Sequence, residues 1–296
     1  MRILITGSNG LLGQKIVSLC LKNHCDFLAT SLGKNRNQDC ASTNYLGLDI
    51  TYEMEINDIF KSFKPTHVIH TAAVTNVDYC EQNEAECNIV NTKAVEYLFN
   101  AAKAVDAHFQ LLSTDFVFDG EKGNYTEQDD VNPLSVYGKS KVNAEKLLIE
   151  NSYTNWSIVR TIIVYGTGNK LSRSNIICWA KDALANGDKL SIIDDQFRAP
   201  TWAFDLAWAC LEICKLKKTG IFHISGPESM SIFEIVNRIA NHFSYSTENL
   251  SRSNSKDLNQ PAKRPPKTGF NLTKAKRELN YKPLTLENTL DLLKNK

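Results

Sequence analysis

No apolar run in this chain approaches the roughly 20 residues that a membrane-spanning helix needs. An excess of one charge sign is missing too: lysine and arginine number 34, aspartate and glutamate 33, and the net charge is +1. So even a balance gives no electrostatic reason to expect a nucleic-acid or membrane partner. The N-terminus lacks the charged region, apolar region and small-residue cleavage site of a secretory signal. It runs directly into Arg2-Ile-Leu-Ile-Thr6-Gly7, and a cytoplasmic location is the default expectation. None of the eight cysteines (Cys20, Cys25, Cys40, Cys80, Cys87, Cys178, Cys210 and Cys214) belongs to a Cys-x-x-Cys pair, and no Cys/His set has zinc-finger spacing. Cys210 and Cys214 share a helix face, where two small apolar residues on a buried surface are the simpler account. In a reducing compartment all eight are expected as free thiols.

What is present describes an ordinary globular protein, with 42% hydrophobic and 23% charged residues. Its 296 residues suit one large domain and a smaller lobe. Residues 2 to 6 form a short apolar run that suits a buried parallel strand. Gly7-Ser-Asn9-Gly10-Leu11-Leu12-Gly13 follows, and then a helical pattern with Leu12, Ile16, Leu19 and Cys20 on one side. Strand, glycine-rich turn and helix is the context that dinucleotide binding requires, because the backbone can approach a pyrophosphate at the positive helix end. A second strand is expected over 25–32. A NAD-preferring site usually has an acidic residue at the end of this strand for the ribose 2′-hydroxyl. This chain has Ser31, with Lys34 and Arg36 just beyond. A hydroxyl and two cations suit a 2′-phosphate, so NADPH is the expected cofactor and NADH the alternative.

Strand and helix then alternate. A short strand over 46–50 ends at Asp49-Ile50, and a helix runs to about Phe63 and stops at Pro65. The run 66–73 reads as a buried strand ending in small residues, which leave room for a flat cofactor. A long helix is expected over 80–106 and a strand over 109–113. Such alternation is the mark of a doubly wound parallel α/β sheet. His67 and His70 read as structural. Glu81, Glu84 and Glu86 read as solvated carboxylates at a helix start.

The chemistry is concentrated in residues 111–141. Ser113 and Thr114 end an apolar run, and Tyr137 and Lys141 lie four apart, on one helix face. Pro133 and Ser135 supply helix-start chemistry. A free tyrosine titrates near about 10, and a neighbouring ammonium stabilises the phenolate and brings that value down. The pair can pass a proton near neutral pH while Thr114 hydrogen-bonds a substrate carbonyl.

These motifs resemble the extended short-chain dehydrogenase/reductase family. The Gly7–Gly13 loop and Tyr137-x-x-x-Lys141 carry that resemblance. Within the family, Leu112-Ser-Thr-Asp-Phe-Val-Phe-Asp-Gly120 is similar to the dTDP-4-dehydrorhamnose reductases. Further matching pieces are Ala72 to Asp78, Arg160-Thr161, Val164-Tyr-Gly166, Asp195-Gln196, Ala199-Pro-Thr201, Ile224-Ser-Gly226 and Arg264-Pro265. The resemblance implies reduction of the C4 keto group of a nucleotide-linked 6-deoxy-4-ketohexose. It implies Thr114, Tyr137 and Lys141 as the catalytic set, with Lys141 also holding the nicotinamide ribose. Asp49 and Ile50 would lie near the adenine, Ala72 and Ala73 along the cofactor, and Val164 near the nicotinamide. Thr75, Val77, Asp115, Arg198 and Arg264 are the candidate substrate contacts.

The chain also departs from that pattern. Lys15 stands where enterobacterial members carry a magnesium-binding glutamate, so no metal is expected. Ile163 replaces a tryptophan that touches the sugar, and Arg198 replaces a glycine. These changes bear on the substrate rather than the reduction.

The division expected is a cofactor-binding domain over 1–166 and a substrate-binding lobe over 167–296, some of whose strands return to the main sheet. Strands are expected over 157–164, 190–193 and 221–224, and helices over 172–186, 204–215 and 232–243. The polar stretch 244–269 reads as a loop. Arg173, Arg198 and Arg264 are candidates for the diphosphate, since arginine forks match phosphate oxygens. Two other functions compete. One is a nucleotide-sugar epimerase or dehydratase. The other is a regulatory, cofactor-binding subunit like that of methionine adenosyltransferase, against which the intact Thr-Tyr-Lys set argues. A homodimer is left open.

Overall fold

The computed structural model of the chain describes residues 1–172 and 174–294. Its apolar runs form a parallel sheet. The strands are β1 (Arg2–Thr6), β2 (Asp26–Ser31), β3 (Tyr45–Gly47), β4 (His67–His70), β5 (His108–Thr114), β6 (Trp156–Thr161) and β11 (Gly220–Ile224). Their order is β11-β6-β5-β4-β1-β2-β3, and every adjacent pair is parallel. The order reverses between β1 and β4, which is where α/β sheets open a crevice for ligands. Strand β3 stops at Gly47, so Leu48 to Ile50 lie beyond the sheet.

Helices cover both faces because each has one apolar side. Helix α1 (Leu11–Lys22) packs with α8 (Ala203–Lys215), where Ile16 and Val17 share a core with Leu206 and Cys210. On the other face α2 (Glu53–Phe63), α5 (Ala94–Ala104) and α6 (Val136–Ile149) bury Ile56, Leu98 and Leu148. A third apolar cluster joins α7 (Ile176–Ala185), α9 (Ile232–Phe243) and α11 (Leu286–Lys294) through Ile177, Ile239 and Leu290. The short pairs β7 (Val164–Tyr165) with β10 (Thr201–Trp202), and β9 (Phe197–Arg198) with β12 (Met230–Ser231), lie beyond the sheet.

Four further elements differ from expectation. The long helix over 80–106 is broken into α3 (Val77–Gln82), α4 (Glu84–Asn88), a π-helical turn over Ile89–Lys93 and α5. Asn83 caps the first break, its side chain donating to the Tyr79 carbonyl at 3.0 Å, a competition with the backbone that asparagine favours. In the π turn, Asn91 accepts from the Val74 N–H at 2.8 Å and donates to its carbonyl at 2.9 Å, which pins the segment after β4. The strand expected over 157–164 ends at Thr161, where Ile163 adopts φ +32°, a rare conformation for a β-branched residue. Helix α7 begins only at Ile176, capped by Asn175. The polar stretch 244–269 contains a strand, β13 (Leu250–Ser253), parallel to β8 (Leu190–Ile193). It is short and half-exposed, so no apolar run marks it.

Candidate active site

The C-terminal ends of β1, β4, β5 and β6 surround one cavity of about 630 Å³. The loop after β1 turns sharply at Gly7, whose φ is +71°, and a Cβ there would sit 2.6 Å from the Ala72 nitrogen. Only glycine allows that approach. The first turn of α1 carries no acidic residue, so its free N–H groups and positive dipole end are not neutralised. Gly7, Asn9, Gly10, Leu11, Leu12 and Gly13 all line the cavity. A diphosphate suits this cradle.

Asn9 links the cradle to the basic loop. Its side chain donates to the Lys34 carbonyl at 2.9 Å and accepts from the Arg36 N–H at 2.8 Å. Lys34 and Arg36 are exposed and Ser31 half-buried beside this loop, outside the cavity wall. Asp49, Ile50 and Ala72 are likewise not on the wall. Asp49 accepts from the N–H and hydroxyl of Thr51, and so shapes the turn into α2.

Thr114, Asp115, Tyr137, Lys141, Thr75, Val77, Ala73 and Val164 meet on the wall. Helix α6 presents the Tyr-Lys pair and starts at Ser135, whose hydroxyl accepts from the Gly138 N–H at 3.2 Å. Lys141 is 2% exposed. Burial brings its ammonium down to about 8, and Glu145 one turn later opposes the shift. Glu145 is itself buried and takes two bonds from Arg160 on β6, at 3.0 and 2.6 Å.

The two hydroxyls at the end of β5 separate. Ser113 donates to Glu145 at 2.5 Å and is spent within the fold. Thr114 donates to Asp115 at 3.0 Å, accepts from the Phe116 N–H at 3.2 Å and adjoins the cavity. Burial raises the Asp115 carboxyl; Arg198, Thr268 and Thr114 oppose it.

The arginines expected on a diphosphate have other partners. The Arg264 fork holds Asp78 on α3 at 3.1 and 2.6 Å, and that cation keeps the Asp78 carboxyl below its usual range. Arg198 is 2% exposed and bonds to carbonyls of its own strand and of residues 265–266. Neither lines the cavity, because each finds a carboxylate or carbonyls within the fold. Arg173 lies outside the described residues. Glu81 also has a structural partner, accepting the Val136 N–H at the start of α6 at 3.0 Å. His67 and His70 are buried and held neutral, at about 4 and about 3. Among the described residues no three His, Cys, Asp or Glu side chains group as a metal site. None of the described helices is long and apolar enough to cross a membrane.

Sequence reasoning missed part of the wall. Leu171, Ser172, Ser174, Asn175 and Ile176 close one side. Their only signal is a polar segment ending in an asparagine cap. A family model described as RmlD substrate binding domain matches residues 1–295. The chain belongs to this family. It is 31% identical to a dTDP-4-dehydrorhamnose reductase of Aggregatibacter actinomycetemcomitans, over 95% of this chain and 94% of that protein. It is 29% identical to the methionine adenosyltransferase 2 subunit beta of Xenopus laevis, over 84% of this chain and 74% of that one. A solved dTDP-4-dehydrorhamnose reductase from Clostridium acetobutylicum superposes with a TM-score of 0.87 at 31% identity, covering 99% of this chain and all of the other. For this member of the RmlD family, the doubly wound fold is thus shared along nearly the whole chain.

Proposed function

We propose that the protein is an NADPH-dependent reductase of the C4 keto group in a nucleotide-linked 6-deoxy-4-ketohexose, the activity named for its reductase relatives. The observation that carries this is the convergence of the glycine loop with Thr114, Tyr137 and Lys141 on one cavity wall. NADPH, when bound, supplies the hydride. The glycine loop and the start of α1 hold its diphosphate, and the loop carrying Ser31, Lys34 and Arg36 offers charge to a 2′-phosphate. Lys141 holds the nicotinamide ribose and stabilises a Tyr137 phenolate. Tyr137 donates a proton to the C4 oxygen. Thr114 turns its hydroxyl hydrogen from Asp115 to that oxygen. Thr75 and Val77 form the sugar side of the cleft, while Arg198 and Arg264 act through Asp115 and Asp78 rather than on the substrate.

The test is NADPH oxidation across a panel of nucleotide-linked 4-keto-6-deoxy sugars. Stoichiometric oxidation with at least one of them is expected. Turnover without net oxidation would mark an epimerase or dehydratase, and cofactor binding without turnover a regulatory subunit. A higher kcat/KM with NADPH than with NADH is expected, and the reverse would reject the role given to Lys34 and Arg36. A cytoplasmic location and a homodimer complete the proposal, and light scattering on the purified protein tests the dimer.

A further inference from the structure

Arg198 is a charged group buried just outside the reacting centre. Its Nη1 donates to the carbonyls of Phe197 and Pro266 at 2.7 and 3.2 Å. Its Nη2 donates to the Pro265 carbonyl at 2.7 Å and to Gln196 Oε1 at 3.3 Å. The remaining Nε lies 3.8 Å from Asp115 Oδ2. The guanidinium also lies over the Phe116 ring at 5.7 Å, and that ring meets Tyr137 edge-on at 5.9 Å. Asp115 is 3% exposed. It receives the Thr268 hydroxyl on Oδ2 at 2.5 Å and the Thr114 hydroxyl on Oδ1 at 3.0 Å. Two residues from the C-terminal part of the chain, Arg198 and Thr268, therefore fix the carboxylate that fixes Thr114.

We propose that Arg198 is a positioning residue for Thr114: through Asp115 it sets the rotamer of the hydroxyl that faces the reacting carbonyl, and so ties that hydroxyl to the 265–268 segment. The inference rests on the reductase reading above. A carboxylate this deeply buried is costly unless a cation accompanies it. With Arg198 present, Asp115 stays an acceptor, and before substrate binds Thr114 makes a charge-assisted bond that presets its side chain in one orientation, from which its hydrogen turns to the carbonyl. Without it, Asp115 takes up a proton and competes as a donor, and the Thr114 hydroxyl loses its anchor. The groups acting on Asp115 are Arg198 on β9, the hydroxyls of Thr268 and Thr114 and its own N–H, while Arg264 acts on Arg198. Lysine cannot hold the cation in this place beside Asp115, since one ammonium cannot supply the fork of donors that anchors the guanidinium on the Phe197, Pro265 and Pro266 carbonyls.

The experiment compares the full-length wild type with Arg198→Met, Arg198→Lys, Asp115→Asn and the Arg198→Met/Asp115→Asn double variant. Arg198→Met is expected to lower kcat about tenfold or more while KM for NADPH stays within about twofold, as for a misplaced catalytic group. Arg198→Lys should not restore it. In the Asp115→Asn background the same change should cost little, because no charge remains to be held. An equal loss in both backgrounds would overturn the proposal and leave Arg198 as a clamp on the 265–266 carbonyls alone. A second readout does not need turnover: carboxyl-carbon NMR of Asp115 should show it titrating at higher pH in Arg198→Met than in wild type. An unchanged titration would equally overturn it. If wild type oxidises NADPH with no keto sugar, the reductase reading fails, while the NMR comparison still decides whether Arg198 governs Asp115.

Discussion

Tyr137 and Lys141 are separated by one helical turn, and each has a measurable signature. Tyr137→Phe removes the proposed proton donor but not the ring that packs against Cys80 and Cys87. Turnover is expected to fall by about 10²-fold or more, with NADPH affinity, measured by fluorescence titration, unchanged. Lys141 titrates at about 8 instead of 10.5. In the proposed mechanism the ammonium form is the working one, so kcat/KM should fall as pH rises through about 8. The linkage has a definite sign. Between about 8 and 10.5 the unfolded chain binds more protons at this residue than the folded one. The burden of burying Lys141 is therefore fully present below pH 8 and lifts as pH rises toward 10.5. Stability measured by urea unfolding should gain a contribution of that sign over this window, where activity declines.

At the scale of elements, helix α6 sits unusually close to the segment after β5. A Cβ built on Gly138 would lie 2.3 Å from the Phe116 carbonyl oxygen and 3.0 Å from the Pro133 side chain. The first contact is with backbone, which cannot swing aside. Gly138→Ala is therefore expected to push α6 off the sheet at a cost of about 1–3 kcal/mol, read from the urea midpoint. Because the adjacent residue is Tyr137, kcat should fall as well. A neutral outcome in both readouts would show that α6 can shift without disturbing the site. The segment after β4 depends in the same way on the π turn, since Asn91 holds Val74 through both of its backbone groups. A bulge of this kind beside a binding cleft is a common use of π turns.

At the scale of the whole molecule, we propose a cofactor-binding half over 1–166 and a substrate-binding half over 167–296 that are not separable folding units. Strand β11 pairs with β6 in the main sheet, and α8 covers α1. A fragment of residues 1–166 loses both. It would expose β6 as an edge and leave Ile16, Val17 and Cys20 uncovered, so it is expected to show no cooperative thermal transition. A sharp transition in calorimetry would mean that the first half folds alone.

The local sequence was enough for whatever depends on short-range pattern. The glycine turn after an apolar run, the Tyr-Lys spacing and the Ser135 cap are set by neighbours within a few residues. Most strands and helices were legible for the same reason, because burying one face demands a period. The break in the helix over 80–106 was not legible, since Asn91 has its reason in Val74, 17 residues away, and in Ser140, 49 residues away. Strand β13 was hidden because its partner β8 lies some 60 residues earlier and its own residues are polar. The arginines show the limit most plainly. From sequence, Arg198 and Arg264 were free cations suited to a phosphate. Only the fold brings Asp115, Asp78 and the carbonyls of 265–266 within reach, and a buried guanidinium bonds to the acceptors that surround it. Sequence alone singled out Thr114, Tyr137, Lys141 and the glycine loop, which the fold brings to one cavity. Tertiary structure decided which charges remain for the ligand, because that depends on contacts between segments 67 to 186 residues apart.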